Sequence, residues 1–207
     1  MSTACTPATL RWLDALWPFV RAYLPPTPGR VLEIGCGEYG GFVPAMRGLG
    51  HDAVGVDPAA PPGADYHRIT VEQYAPTSPV DAIVACASLH HVGDLATVLD
   101  RVRAILAPGG PLIVVEWDYE RFDEATARWC FDRLPASGGP GWLADHRRQW
   151  LASGQPWPVY RDAWVERERL HSGDAMIKAL RARFGTRLLG RAPYFFADLE
   201  STGAAAE

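Results

Sequence analysis

The stretch that decides the fold is Val31-Leu32-Glu33-Ile34-Gly35-Cys36-Gly37-Glu38-Tyr39-Gly40-Gly41, together with Asp57 downstream of it. Its short apolar run ends at glycines, which can adopt positive φ and let a ligand approach the backbone closely. Apolar residues then recur at helical spacing over residues 42–49, and a second apolar run over residues 53–56 ends at Asp57. This pattern predicts a β-α-β unit, in which the glycine loop and Asp57 lie side by side at the carboxyl edge of a parallel sheet.

Two carboxylates of this unit are candidates for binding a ligand. Glu33 precedes the first glycine by two residues and lies on a buried strand, where a charge is costly unless it has a partner. Asp57 ends the second strand, where a carboxylate can accept hydrogen bonds from both hydroxyls of a ribose. The spacing Gly35-x-Gly37-x-x-Gly40 also fits the dinucleotide fingerprint, so the glycines alone leave the ligand open.

Length and composition indicate one cytoplasmic domain. The chain has 207 residues, of which 48% are hydrophobic and 21% charged, as in soluble globular proteins. We find neither a signal peptide nor an apolar run long enough to span a membrane. The net charge of −4 provides no basic surface for nucleic acid or an anionic membrane. The four cysteines form no Cys-x-x-Cys pair, so we expect reduced thiols and no metal site.

Further strands follow the β-α-β unit. A proline-capped helix is predicted ahead of it, and a third strand is expected over residues 66–70. Residues 80–87 form a continuous apolar run, as in a strand buried on both faces, and end at Ser88-Leu89-His90-His91. After another amphipathic helix, the turn Pro108-Gly109-Gly110 leads into a fifth strand over residues 111–117.

The glycine motif, the Leu89-His90-His91 sequence and the Pro-Gly-Gly turn resemble, in this order, the class I S-adenosylmethionine-dependent methyltransferases over residues 30–118. The loop departs from the family pattern, because Tyr39 stands where the third glycine would be and Gly40-Gly41 follow. The resemblance implies a Rossmann-like α/β fold, doubly wound, with a mostly parallel seven-stranded sheet and an antiparallel carboxyl-terminal strand. It also implies S-adenosylmethionine as the cofactor.

The resemblance assigns cofactor contacts to the glycine loop and to the strand ends, namely Glu33, Gly35, Cys36, Gly37, Tyr39, Asp57, Pro58, Val71, Glu72, Ala87, Ser88 and Leu89. Glu72 would meet the adenine amine, although a solvated loop carboxylate explains it equally well. His90 and His91 lie where the transferred methyl would emerge, and either is a candidate general base near neutral pH. The alternative for both histidines is that they line the pocket and form hydrogen bonds with the backbone.

The rest of the chain suggests an addition to this fold. We expect a single domain over residues 1–207. It would consist of an N-terminal helix (1–29), a cofactor-binding core (30–134), a helical cap insertion (135–173), and a final helix with a strand pair (174–199). Pro156 and Pro158 should split the insertion into two helices. The tryptophans of the insertion either line an acceptor cavity or anchor the cap; they are Trp142, Trp150, Trp157 and Trp164. Its polar residues either contact the acceptor or lie on the surface; they are His146, Glu166, Glu168 and His171.

The predicted function is methyl transfer from S-adenosylmethionine to an oxygen or nitrogen of a small-molecule acceptor, with no nucleic-acid or membrane partner. Such transfer mainly requires that the two reactants be held close together away from water. An NAD-dependent oxidoreductase is an alternative because of the glycine spacing and Asp57. A non-catalytic S-adenosylmethionine binder is a second alternative, because of the irregular Glu38-Tyr39 loop.

Overall fold

The computed structural model describes residues 8–134 and 141–203. A five-stranded parallel sheet with strand order β3-β2-β1-β4-β5 forms the centre of the described residues. Its strands are β1 (Arg30–Ile34), β2 (Asp52–Val56), β3 (Tyr66–His67), β4 (Ala82–Cys86) and β5 (Leu112–Val115). Eight helices accompany it: α1 (Ala8–Tyr23), α2 (Val43–Gly48), α3 (Leu95–Ile105), α4 (Glu124–Phe131), α5 (Trp142–Ser153), α6 (Trp157–Glu168), α7 (Gly173–Arg181) and α8 (Phe196–Gly203).

The central strand β1 is buried because helices cover both faces of the sheet. Leu32 and Ile34 pack on one face with α3 and α7, whereas Val31 packs on the other with α1 and α2. Glu33 is buried between these apolar residues, and its neighbours in the ladder are Gly55 of β2 and Val84 of β4. Burial on both faces explains why β4 is a continuous apolar run in the sequence and why β1 is apolar from Val31 to Ile34 except at Glu33.

The sheet places the predicted site at one edge. The chain leaves β1 toward β2 on one side and later returns to β4 on the other, so the strand order reverses beside β1. Ligands of open α/β sheets bind in the crevice outside the carboxyl ends of the strands at such a reversal. The Rossmann-like arrangement that the sequence predicts is therefore confirmed, and the crevice lies between the glycine loop and the short 3-10 turn Leu89–His91.

The predicted antiparallel strand pair at the carboxyl terminus is wrong. Phe196–Gly203 forms helix α8, Leu188 and Leu189 are exposed, and within the described residues the sheet has five strands and not seven. The aromatic residues before α8 have high β propensity, but tertiary packing overrides it. Phe195 is buried in an aromatic cluster, and the carbonyl of Ala197 accepts a hydrogen bond from Arg11 of α1, at 2.6 Å.

The helices α5 and α6 share a core with the segment after β5. As predicted, this segment forms two helices: Gly154 ends α5 in the left-handed conformation, Pro156 caps α6, and Pro158 lies in the first turn of α6. Trp150, Trp157 and Trp164 are buried in a cluster that also contains Trp117 and Phe122, whereas Trp142 is 38% exposed. Trp157 donates to the Phe122 carbonyl at 2.8 Å. Three of the four tryptophans therefore anchor these helices to the segment after β5. That residues 135–173 cover an acceptor stays a prediction, and residues 135–140 lie outside the described chain.

Two smaller expectations concern the thiols and the membrane. Cys36, Cys86 and Cys130 are free and buried, as expected of reduced thiols, and Cys5 lies outside the described residues. No described helix is both long enough and apolar enough to cross a membrane.

Candidate active site

The glycine loop after β1 uses positive φ at four positions: Gly35, Gly37, Gly40 and Gly41. At Gly35, Gly40 and Gly41 an added Cβ would lie within 3 Å of another atom, which for Gly40 is the Tyr66 hydroxyl oxygen at 2.5 Å. A Cβ on Gly35 would lie 2.6 Å from the Cys86 carbonyl oxygen, and one on Gly41 would overlap the Glu33 carboxylate. A Cβ on Gly37 would meet no atom within 4 Å. The loop is therefore packed from below at Gly35 and Gly41, while open space lies above Gly37.

Glu33 supports this loop from inside the fold. Its side chain is fully buried, and Oε2 accepts a hydrogen bond from the backbone N–H of Phe42, which precedes α2, at 2.7 Å. Oε1 has no hydrogen-bond partner. Burial away from water and, to a smaller extent, the nearby Asp57 carboxylate raise the pKa of Glu33 to about 8. A buried acceptor without a partner is costly, so Oε1 is suited to a donor or a positive charge supplied by a ligand.

The raised pKa predicts how stability depends on pH without ligand. Between about pH 5 and pH 8 the folded chain keeps a proton on Glu33 that the unfolded chain releases. The free energy of unfolding of the wild type should therefore fall as pH rises, by up to about 1.4 kcal/mol per pH unit. Glu33→Gln cannot ionise and should lack this slope. Denaturant unfolding at pH 5.5, 7 and 8.5 measures it.

The control for this pH experiment is Glu120→Gln, which makes the same chemical change at an exposed position. Its pH dependence should match that of the wild type. Parallel pH profiles for the wild type and Glu33→Gln would show that Glu33 is ionised throughout the range and that its burial does not shift the equilibrium.

Asp57 meets the glycine loop as the sequence predicts. Its Oδ2 accepts a hydrogen bond from the Gly37 N–H at 3.1 Å, and its Oδ1 accepts one from the Ala59 N–H at 2.6 Å. The pairing of Ile34 with Val56 places the two strand ends level, so that the loop and the carboxylate are neighbours. Asp57 therefore borders the same open space as Gly37.

The other predicted cofactor residues occupy different environments. Cys36 is buried below the loop, where burial raises the pKa of its thiol to about 12, so it is neutral. Tyr39 and Pro58 are exposed beside the loop and Asp57. The third strand ends earlier than predicted, at His67, and is followed by a turn that contains buried Val71 and exposed Glu72. The solvated alternative for Glu72 agrees with its exposure, and its contact with adenine stays a prediction.

The turn after β4 is strained and well bonded. Ala87 has a positive φ of 44°, which is unusual for a residue other than glycine, and donates to the Val115 carbonyl at 2.8 Å. Ser88 contributes a buried Oγ that has no hydrogen-bond partner. Leu89 is fully buried. The turn thus directs one unpartnered hydroxyl toward the floor of the glycine loop, since a Cβ on Gly35 would lie 3.0 Å from the Ser88 Oγ.

Glu116, directly after β5, organises this turn and was missed by the sequence analysis. Its Oε1 accepts from the backbone N–H groups of Ser88 at 2.7 Å and Leu89 at 2.5 Å. Its Oε2 lies 2.6 Å from Nδ1 of His90. A carboxylate at the end of an apolar strand was available as a signal, because the same observation singled out Glu33.

The two histidines differ in their surroundings. His90 is buried, contacts Glu116, and packs edge-on to Trp117 at a ring separation of 6.2 Å. His91 is exposed, and its ring packs against that of His90 with the centroids 4.2 Å apart and the planes tilted by 42°. Partial burial lowers the pKa of His91, and the neighbouring His90 lowers it further. Of the two, His90 is the one held by a carboxylate.

Two histidines of the predicted insertion have structural contacts. His171 donates its backbone N–H to the His90 carbonyl at 2.9 Å, and its Nε2 lies 2.8 Å from the Val92 carbonyl. His146 is buried against Trp142 and lies 2.8 Å from the Tyr160 hydroxyl, and burial lowers its pKa to about 4. Both therefore support the fold around the site, whereas the other two polar candidates, Glu166 and Glu168, are exposed.

The sequence matches the family described as "Methyltransferase domain" over residues 8–183, which is most of the chain. The chain belongs to this methyltransferase domain family. The resemblance to class I S-adenosylmethionine-dependent methyltransferases is thereby confirmed, and the matched residues include the glycine loop, Asp57, the turn after β4 and Glu116.

Individual methyltransferases match over shorter stretches. The ubiquinone biosynthesis O-methyltransferase of Bradyrhizobium sp. (strain ORS 278) is 35% identical over 98 residues, which are 41% of this chain and 38% of that protein. The protein of the same name from Nitrobacter winogradskyi is 36% identical over 94 residues, which are 39% of this chain and 36% of that protein. The matches thus span less than half of the length of these curated relatives.

A solved structure supports the fold over nearly the whole chain. The S-adenosylmethionine dependent methyltransferase from Mesorhizobium loti has a TM-score of 0.53 and 19% identity, and the match covers 94% of this chain and 93% of that one. At this identity the likeness concerns the fold, which is the methyltransferase-type α/β sheet with its crevice beside β1.

Proposed function

We propose that this chain binds S-adenosylmethionine in the crevice beside β1 and transfers its methyl group to an oxygen or nitrogen of a small-molecule acceptor. The observation that carries the proposal is the fully buried Glu33, whose Oε1 has no partner and lies beneath a glycine loop with open space at Gly37. An ammonium group on the ligand, acting directly or through a water, would satisfy this carboxylate.

The described residues fit the remaining groups of this cofactor. Asp57 has acceptor oxygens beside Gly37, where they can receive the ribose hydroxyls. The unpartnered Ser88 Oγ is available to the amino-acid end of the cofactor. When bound, S-adenosylmethionine supplies a methyl group carried on a sulfonium. The protein's part is then to orient the acceptor, exclude water and remove a proton from the acceptor.

The proposed acceptor is a small molecule with an oxygen or nitrogen nucleophile, met in the cytoplasm. The names of the matching relatives describe O-methyltransferases, which supports oxygen as the first atom to test. With a net charge of −4, the chain has no excess of positive charge for a polyanionic partner.

An NAD-dependent oxidoreductase fits this site less well. A dinucleotide would place its pyrophosphate at the glycine loop, where the buried Glu33 carboxyl group offers it no positive charge and, once ionised, would repel it. Membership of the methyltransferase domain family also argues against it.

Two measurements test the proposed function. Mass spectrometry of protein purified without added ligand should find a co-purifying adenosyl nucleoside. Incubation with methyl-labelled S-adenosylmethionine and a panel of small phenols and amines should transfer label to at least one of them. Co-purification of a nicotinamide dinucleotide, with no label transferred, would overturn the proposal.

A further inference from the structure

The strongest unexplained contact in the molecule lies between Glu116 and His90. Their Oε2 and Nδ1 atoms are 2.6 Å apart, and both side chains are more than nine-tenths buried. The second carboxylate oxygen is occupied by the N–H groups of Ser88 and Leu89. Glu116 therefore fixes the position of the turn and the orientation of the His90 ring at the same time.

The contact also decides where the ring carries its hydrogen. An ionised carboxylate only accepts hydrogen bonds, so Nδ1 of His90 must be the donor. In the neutral ring the lone pair is then on Nε2, for which the described residues provide no hydrogen-bond partner. The ring can thus gain or lose a proton at Nε2, while the hydrogen on Nδ1 remains hydrogen-bonded to the Glu116 carboxylate.

Contacts from outside the turn also keep the His90 ring in place. The His90 carbonyl accepts from the N–H of His171, and the ring packs edge-on to Trp117. Contacts from the segment after β5 and from the segment after α6 thus converge on His90. A group that receives a proton in a transition state gains from such fixed placement, because no reorientation is needed at the moment of reaction.

We propose that Glu116 is a positioning residue, which holds His90 as the Nδ1–H tautomer so that Nε2 can take the proton of a neutral O–H or N–H acceptor. This inference rests on the proposed function. In the step, the acceptor's O–H or N–H bond breaks and its proton binds Nε2. The freed electron pair forms the bond to the methyl carbon as the carbon–sulfur bond breaks, and the imidazolium later releases the proton to water.

The substitution Glu116→Gln tests the inference because it preserves the shape of the side chain. The amide oxygen can still accept from Ser88 and Leu89, and the NH₂ group then faces Nδ1 of His90. An NH₂ group only donates, so the ring must switch to the Nε2–H tautomer, which has no lone pair at Nε2. Glu120→Gln is the matched control, since it removes an exposed carboxylate nearby.

The primary readout is ¹⁵N NMR of histidine-labelled protein, with the His90 signals assigned by their loss in His90→Gln. We expect the Nδ1–H tautomer in the wild type and in Glu120→Gln, and the Nε2–H tautomer in Glu116→Gln. Turnover on an acceptor from the labelling panel should fall by roughly 100-fold or more in Glu116→Gln. Its Kd for S-adenosylhomocysteine should change only a few-fold.

The outcomes separate this inference from the proposed function. An Nε2–H tautomer of His90 in the wild type would overturn the role of Glu116 whether or not methyl transfer is found. Unchanged turnover in Glu116→Gln with a switched tautomer would overturn it too. A wild type that transfers no methyl group would overturn the proposed function, while the tautomer still decides whether Glu116 positions His90.

Discussion

His90→Ala should lower turnover by roughly 100- to 10,000-fold, the range that a general base contributes, while the affinity for S-adenosylhomocysteine stays within a few-fold. The expectation follows from the placement of His90, which is buried at the crevice and held by a carboxylate 2.6 Å away. Single-turnover kinetics with a saturating acceptor measures the chemical step, and calorimetric titration measures cofactor affinity.

The neighbouring histidine provides the comparison. His91 is exposed, and the described residues give it no carboxylate in hydrogen-bond contact, so His91→Ala should cost less than His90→Ala. A larger loss of turnover in His91→Ala than in His90→Ala would indicate that His91, and not His90, accepts the proton. If neither variant lost more than a few-fold, proximity of the two reactants would explain the catalysis without a base.

Asp57→Ala should weaken the binding of S-adenosylhomocysteine by about 100-fold or more. Each hydrogen bond to a charged group contributes roughly 1.5 to 3 kcal/mol, and in the proposed site the Asp57 carboxylate would accept two ribose hydroxyls. The substitution also removes the acceptor of the Gly37 N–H, so the loop loses a contact to β2. Calorimetric titration of the variant gives the change in Kd.

Asp52→Ala is the control for Asp57→Ala. Asp52 begins the same strand at the opposite edge of the sheet, and it is exposed, as is its ion-pair partner Arg47. Loss of such a surface pair should leave the Kd unchanged. Equal affinities of Asp57→Ala and the wild type would remove Asp57 from the cofactor site.

The part of the site that the sequence predicts is local. The glycine loop and Asp57 belong to one β-α-β unit, and parallel pairing of its strands brings them together. The burial of Glu33 follows from its place within an apolar strand. These inferences need only the periodicity of strands and helices and the geometry of a parallel sheet.

The part that the sequence does not predict depends on distant contacts. Glu116 reaches a turn some 27 residues earlier in the chain, and His171 bonds to the carbonyl of Val92, 79 residues away. The position of Glu116 at the end of an apolar strand marks it as a candidate, but no local pattern identifies the distant residues that it or His171 contacts. Helix α8 was predicted as a strand for the same reason. The aromatic residues that lead into it have high β propensity, and the packing of Phe195 in the aromatic cluster overrides this local preference.

Calorimetric titration with S-adenosylhomocysteine and with NAD tests the central claim most directly, on the wild type and on Glu33→Gln. The amide oxygen of the variant can still accept from Phe42, so the loop is kept while the ability to ionise is lost. We expect the wild type to bind S-adenosylhomocysteine and not NAD, and Glu33→Gln to bind S-adenosylhomocysteine roughly tenfold or more weakly. Tight binding of NAD, with no heat from S-adenosylhomocysteine, would contradict this expectation.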